Sequence, residues 1–134
     1  MDNKTFIEKA VNIFNRTVTF YEKARREGLF SIENDIDKAL IDERDIFEYG
    51  IRWVIDGTDP YIINKILSNL IAQCSDPLEV LLKTIQKEAV LGTQAGENFR
   101  IMLAYMTSYI NNSDILEIKN IYRKRLRKTF PDIS

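Results

Sequence analysis

Apolar residues recur along this chain at three- and four-residue intervals, the spacing that gathers side chains on one side of an α-helix. From Thr5 to about Glu27 the pattern is carried by Phe6, Ile7, Ala10, Val11, Phe14, Val18 and Tyr21. Gly28 then allows either a break or a kink in a continuing helix, since glycine reaches backbone conformations closed to other residues. Leu29, Ile32, Ile36, Ala39 and Leu40 keep the helical period through a second segment. A third helix is predicted from about Arg44 to Ile55, with Ile46, Phe47, Tyr49, Gly50, Trp53 and Val54 on its inner face.

Stop and start signals divide the rest. Asp56-Gly57 ends the third helix, Thr58 or Asp59 caps the next, and Pro60 falls in a first turn where a missing N–H does no harm. The fourth helix runs from Tyr61 to about Cys74. Ser75-Asp76-Pro77 repeats the cap-and-proline logic and opens a fifth, reaching towards Gly96. A sixth is expected from about Asn98 to Ile110. The polar turn Asn111 to Asp114 leads into a seventh that ends near Lys128, and residues 131–134 are expected to fray. Sustained period-two alternation is absent. The prediction is an all-α fold, a compact bundle of six or seven helices in one domain over residues 1–130. Arg26-Glu27-Gly28-Leu29 resembles Lys87-Glu88-Ala89-Val90, and Ser31-Ile32-Glu33 aligns with Gly92-Thr93-Gln94. Two similar helical hairpins would explain this, and so would the ease with which helical sequences match one another.

Composition narrows the function classes. At 134 residues the chain can bury one core, and its 5 Gly and 3 Pro are spread out, as suits long helices with short turns. Nineteen basic residues against twenty acidic give a net charge of -1, which supplies no basic field for nucleic acid or a membrane surface. The absence of histidine removes the commonest general base and the commonest transition-metal ligand. The single cysteine, Cys74, follows Leu70-Ile71-Ala72-Gln73 and reads as a core position rather than a reactive thiol. No apolar leader follows Met1, and the apolar runs fall far short of the roughly 20 residues a spanning helix needs. A cytoplasmic, reducing location is the default expectation.

Three stretches carry a resemblance. Ala24-Arg25-Arg26-Glu27-Gly28-Leu29-Phe30-Ser31-Ile32-Glu33 looks like the sequence after the second membrane span of the flagellar stator subunit MotA family. Tyr49-Gly50-Ile51-Arg52-Trp53-Val54-Ile55-Asp56-Gly57-Thr58-Asp59-Pro60 resembles that family's G-x-x-x-(V/I)-x-D-G-T-D-P, in the family's order and near its spacing. The segment from Gln86 to Arg100 resembles the tail after the fourth span, with Ala89 where the family has Gly and Phe99 where it has Pro. The resemblance covers about residues 20–110 and only cytoplasmic parts. The family's membrane spans, with their ion-conducting residues, have no counterpart. In the family, the Arg and Glu of the first stretch are implicated in contact with the rotor protein FliG, and they match Arg25 and Glu33. On a continuous helix these two would share one broad face, about 12 Å apart along the axis.

Other candidates have plain structural readings beside the functional ones. Asp56-Gly57-Thr58-Asp59-Pro60 has too few oxygen ligands for a calcium loop and no lysine for a phosphate loop, and reads as helix stop, cap and restart. The acidic stretch Glu33, Asp35, Asp37, Asp42, Glu43, Asp45 and Glu48 reads as a solvated or partner-facing surface rather than an acid–base site. The last helix carries Lys119, Arg123, Lys124, Arg125, Arg127 and Lys128, as the helix dipole favours near a C-terminus. Its apolar stripe is Ile115, Leu116, Ile118, Ile121, Tyr122 and Leu126. Arg123, Lys124 and Arg127 are candidates for engaging an acidic partner, including the acidic patch of a second copy in a homo-oligomer. Phe47, Tyr49, Trp53, Tyr105, Met106 and Tyr109 are expected in the core. The resulting expectation is a non-enzymatic interaction protein, without cofactor or metal, whose partners are the rotor protein or stator subunits. Its partner-binding residues would be Arg25, Glu33, Arg123, Lys124 and Arg127. The alternatives are a helical regulator or oligomeric scaffold outside motility, and a small enzyme using the carboxylates with a divalent ion.

Overall fold

The first helix, α1, spans Asn3–Glu27 and begins where Asp2 accepts a hydrogen bond from the Thr5 amide at 2.8 Å. Its predicted inner residues are all buried, Phe6 and Phe14 almost completely. Each such aromatic or aliphatic side chain contributes about 1.5–3 kcal/mol by leaving water. The computed structural model describes residues 1–36 and 45–129. Asp37, Ala39, Leu40, Asp42, Glu43 and the tail from Phe130 lie outside the described residues, as do the side chains of Tyr122, Arg125, Leu126, Arg127 and Lys128.

Gly28 ends α1 with φ +90°, a conformation that costs any other residue energy, and its amide still donates to the Ala24 carbonyl. A 3-10 helix follows at Leu29–Asp35. It does not extend α1. On a straight helix residues 23 and 35 would stand about 18 Å apart, beyond the reach of both side chains. Instead Lys23 Nζ lies 2.6 Å from Asp35 Oδ2, so the chain doubles back. Ile32 and Ile36, both buried, anchor this return to the core.

Helix α2 (Ile46–Ile55) is capped by Asp45, α3 (Pro60–Ala72) by Asp59, and α4 (Pro77–Ala95) by Asp76, with proline at the start of the last two as predicted. Gly96, left-handed at φ +64°, closes α4, and the Glu97 amide reaches back to the Gly92 carbonyl. Asn98 caps α5 (Phe99–Thr107). The turn expected at Asn111 to Asp114 is shorter than predicted, because α6 (Asn112–Thr129) already starts within it, with Asn111 Oδ1 accepting from the Asp114 amide.

The described residues form an all-α bundle of six α-helices and one 3-10 helix. Helix α4 packs against α1, α2, α3 and α5, and α6 packs on α1. At Gly50 a Cβ would stand 2.9 Å from both γ-methyls of Val90, so the missing side chain lets α2 approach α4. The suggested duplication does not carry over. Gly28 terminates a helix, whereas its counterpart Ala89 is fully buried in the middle of α4. Two aromatic expectations also change: Tyr105 and Tyr109 are 55% and 42% exposed, while Phe47 and Met106 are buried, and Tyr49 and Trp53, edge to face with one another, are partly buried against the core. Cys74 is half-buried at the end of α3 rather than inside the core. Among the described residues no helix is long and apolar enough to cross a membrane.

Candidate functional site

The three stretches singled out in the sequence meet at one end of the bundle. The first brings the last turn of α1, with Ala24 and Arg25, and Leu29 beyond the break. The third brings Thr93, Gln94 and Gly96 from the end of α4. Together with Tyr21 these line a cleft of about 320 Å³. The second stretch is tied in by Gln94, whose Nε2 donates to the Thr58 carbonyl at 2.7 Å, inside the loop that joins α2 to α3. Tyr21 closes the other side: its hydroxyl donates to the Glu97 carbonyl at 2.7 Å, and its ring lies 5.3 Å from that of Phe99. Phe99 thus supplies an aromatic contact and the first residue of α5.

The cleft mixes polar and apolar lining, with Thr93, Gln94 and Arg25 beside Ala24 and Leu29. Arg25 is exposed at its rim. Gln94 Oε1 is buried and, among the described residues, accepts no hydrogen bond. Arg52 Nε and Nη2 and Trp53 Nε1, on the second stretch, are likewise buried donors without an acceptor there. Glu33 is exposed on the 3-10 helix. The single helical face expected for Arg25 and Glu33 is therefore corrected, because the break at Gly28 puts them on two elements that fold back on one another.

The other charged candidates separate. Within the acidic stretch, Arg16 contacts Asp45 at 3.3 Å and Glu48 at 2.5 Å, with its guanidinium 4.8 Å above the Phe47 ring, and Lys23 holds Asp35. Arg123 and Lys124 are exposed on α6 and line none of this cleft. Asp56 to Pro60 form the helix stop, cap and restart expected of them, with Gly57 at φ +78° and Asp59 accepting from the Tyr61 amide. Among the described residues no group of three or more Cys, Asp or Glu is placed to hold a metal ion. Lys83 Nζ sits 3.0 Å from Cys74 Sγ, and that thiol, together with Glu79 and against the effect of burial, holds the ammonium above its usual range.

From sequence, Thr58 is a candidate helix cap, a place that Asp59 takes instead, Tyr21 is a core residue, and Gln94 stands within its motif with no role of its own. The available signal was a glutamine inside an otherwise apolar helical frame, since a polar residue there needs a partner.

Comparison with known proteins gives one relation. The chain is 37% identical over 57 residues to motility protein A of Borreliella burgdorferi, a match covering 42% of this chain and 21% of that protein. The chain thus spans about a fifth of the length of the relative it matches. No family model matches, and no solved structure does.

Proposed function

We propose that this chain is a non-enzymatic interaction protein of the bacterial flagellar motor, docking on the rotor protein or on stator subunits through the surface around the Arg25 cleft. The similarity to motility protein A carries the link to motility. Two of the three MotA-like stretches line the cleft and the second is bonded to it through Gln94, which supports the choice of surface, because residues far apart in sequence are held together there by Gln94 and Tyr21. Arg25 lines the cleft and is exposed, Glu33 is exposed on the 3-10 helix that returns after Gly28, and surface charges of opposite sign steer encounter and fix register with a complementary partner more than they add affinity. In this reading the protein works beside the inner membrane at the motor.

A pull-down from cells of the source organism tests this, comparing wild type with the double reversal Arg25→Glu, Glu33→Lys. Recovery of motor proteins by the wild type and a loss of about tenfold on reversal is the expected result. Absence of motor proteins from the wild-type sample defeats the flagellar assignment, and equal recovery by both moves the contact away from this face.

A further inference from the structure

A second groove lies between α5 and α6. Phe14, Leu103, Ala104 and Ile118 form its apolar walls and floor, and Arg100 and Lys119 stand at its rim, around a space of about 280 Å³. Both cations are exposed, and among the described residues neither makes an ion pair. One turn beyond Lys119, Arg123 and Lys124 are exposed as well. From Lys119 to Lys128 the chain carries six basic residues and no acidic one.

We infer that this groove binds an acidic amphipathic helix of a partner protein, with one apolar side chain seated between α5 and α6 and carboxylates on Arg100 and Lys119. Helix-in-groove recognition needs an apolar furrow for anchor residues and a complementary charged rim, and both are present. The charge selects the occupant. A second copy of this chain fits less well, because, of the described carboxylates of its acidic segment, Asp35, Asp45 and Glu48 already pair with Lys23 and Arg16, which leaves Glu33 exposed. An anionic bilayer also fits less well: α6 packs Ile118 into the core against α1, and among its described residues Leu116 is the one large apolar side chain that is exposed. The inference does not depend on the flagellar assignment.

The probe is a fluorescein-labelled helical peptide with Leu at i, i+3, i+4 and i+7 and Glu elsewhere, titrated by fluorescence anisotropy. Its controls are a matched Leu/Lys peptide and phosphatidylglycerol vesicles. The Leu/Glu peptide is expected to bind, more weakly as salt rises, and the Leu/Lys peptide not to bind. Ala104→Trp, which fills the groove from an exposed position, and Arg100→Gln with Lys119→Gln, which empties the rim of charge, should each weaken binding about tenfold with an unchanged circular dichroism spectrum. Failure of the wild type to bind the Leu/Glu peptide, or equal binding by the variants, overturns the proposal. So does tight vesicle binding without peptide binding, which would assign the basic face to a membrane. If Ala104→Trp unfolds, the double Gln variant decides alone.

Discussion

The acidic segment from Glu33 to Glu48 and the basic run from Lys119 to Lys128 are the two densest blocks of charge in the chain, opposite in sign and similar in size. The fold uses them differently. Arg16 reaches across from α1 to clamp Asp45 and Glu48, Lys23 holds Asp35, and Asp45 also caps α2 through the Glu48 amide. On the basic side Lys119, Arg123 and Lys124 are exposed and make no ion pair among the described residues. A run of like charge in a sequence therefore says little about availability. What matters is whether a neighbouring element delivers counter-charges, and among the described residues α1 does so for the acidic block only.

Replacing Arg16 tests the comparison most severely. Arg16→Met keeps the aliphatic stem, removes both ion pairs and the contact with the Phe47 ring, and leaves the 12%-exposed Glu48 side chain beside an apolar group. Breaking a fully buried pair costs about 3–5 kcal/mol and an exposed one under about 1; this part-buried pair should cost about 2 kcal/mol by urea denaturation. Lys119→Met with Arg123→Met should cost less than about 0.5 kcal/mol. Equal losses would show that the basic block is as much a part of the fold as the acidic one.

Much of the fold was legible because its boundaries are written in local chemistry. Asp59-Pro60, Asp76-Pro77 and Gly96 act within one turn of where they stand, and the cap hydrogen bonds follow them. The return at Gly28 was not legible. Leu29, Ile32 and Ile36 keep a three-and-four spacing that suits an α-helix, yet the chain forms a 3-10 helix that stops before Ile36, and the reversal depends on a glycine torsion and on a lysine twelve residues from its partner. The cleft was half legible: its stretches stood out, but the bonds that join them link Gln94 to Thr58 and Tyr21 to Glu97, separations of 36 and 76 residues that no local pattern reveals. Tyr105 was misplaced because a short helix with apolar residues on several sides does not show which side its neighbours cover, and Tyr109 because α5 ends at Thr107 and leaves it in the following turn.

The Lys23–Asp35 pair is the weaker clamp on the acidic side. Its side chains are 31% and 44% exposed, so solvent and salt screen it. Lys23→Met should lower stability by about 0.5 kcal/mol at low ionic strength, and the difference should vanish in high salt, because burial of Ile32 and Ile36 holds the return in place without the ion pair. A loss as large as that of Arg16→Met, read from the same urea curves, would make the pair rather than the isoleucines the anchor.

The smallest effect concerns Glu88, a carboxylate outside both blocks that is also engaged from within the molecule. The Tyr109 hydroxyl donates to its Oε1 at 2.9 Å, and this hydrogen bond, with some burial and the carboxylate's charge, raises the phenol above its ordinary value of 10.0. A raised value in the folded state means that the native protein holds this proton where the unfolded chain has released it. The contribution is thus complete below pH 10 and is lost as pH rises through the folded value, where a phenolate would face a carboxylate. Glu88→Gln removes that repulsion and should bring Tyr109 back towards 10.0, seen as an earlier rise of one tyrosine's share in the tyrosinate absorbance of a chain with six. The titration of Arg100→Gln should match wild type, since that exposed cation makes no bond to Glu88 or Tyr109. An unmoved titration in Glu88→Gln would mean that solvent screens the contact in solution, leaving Glu88 as available to a partner as the basic side chains of α6.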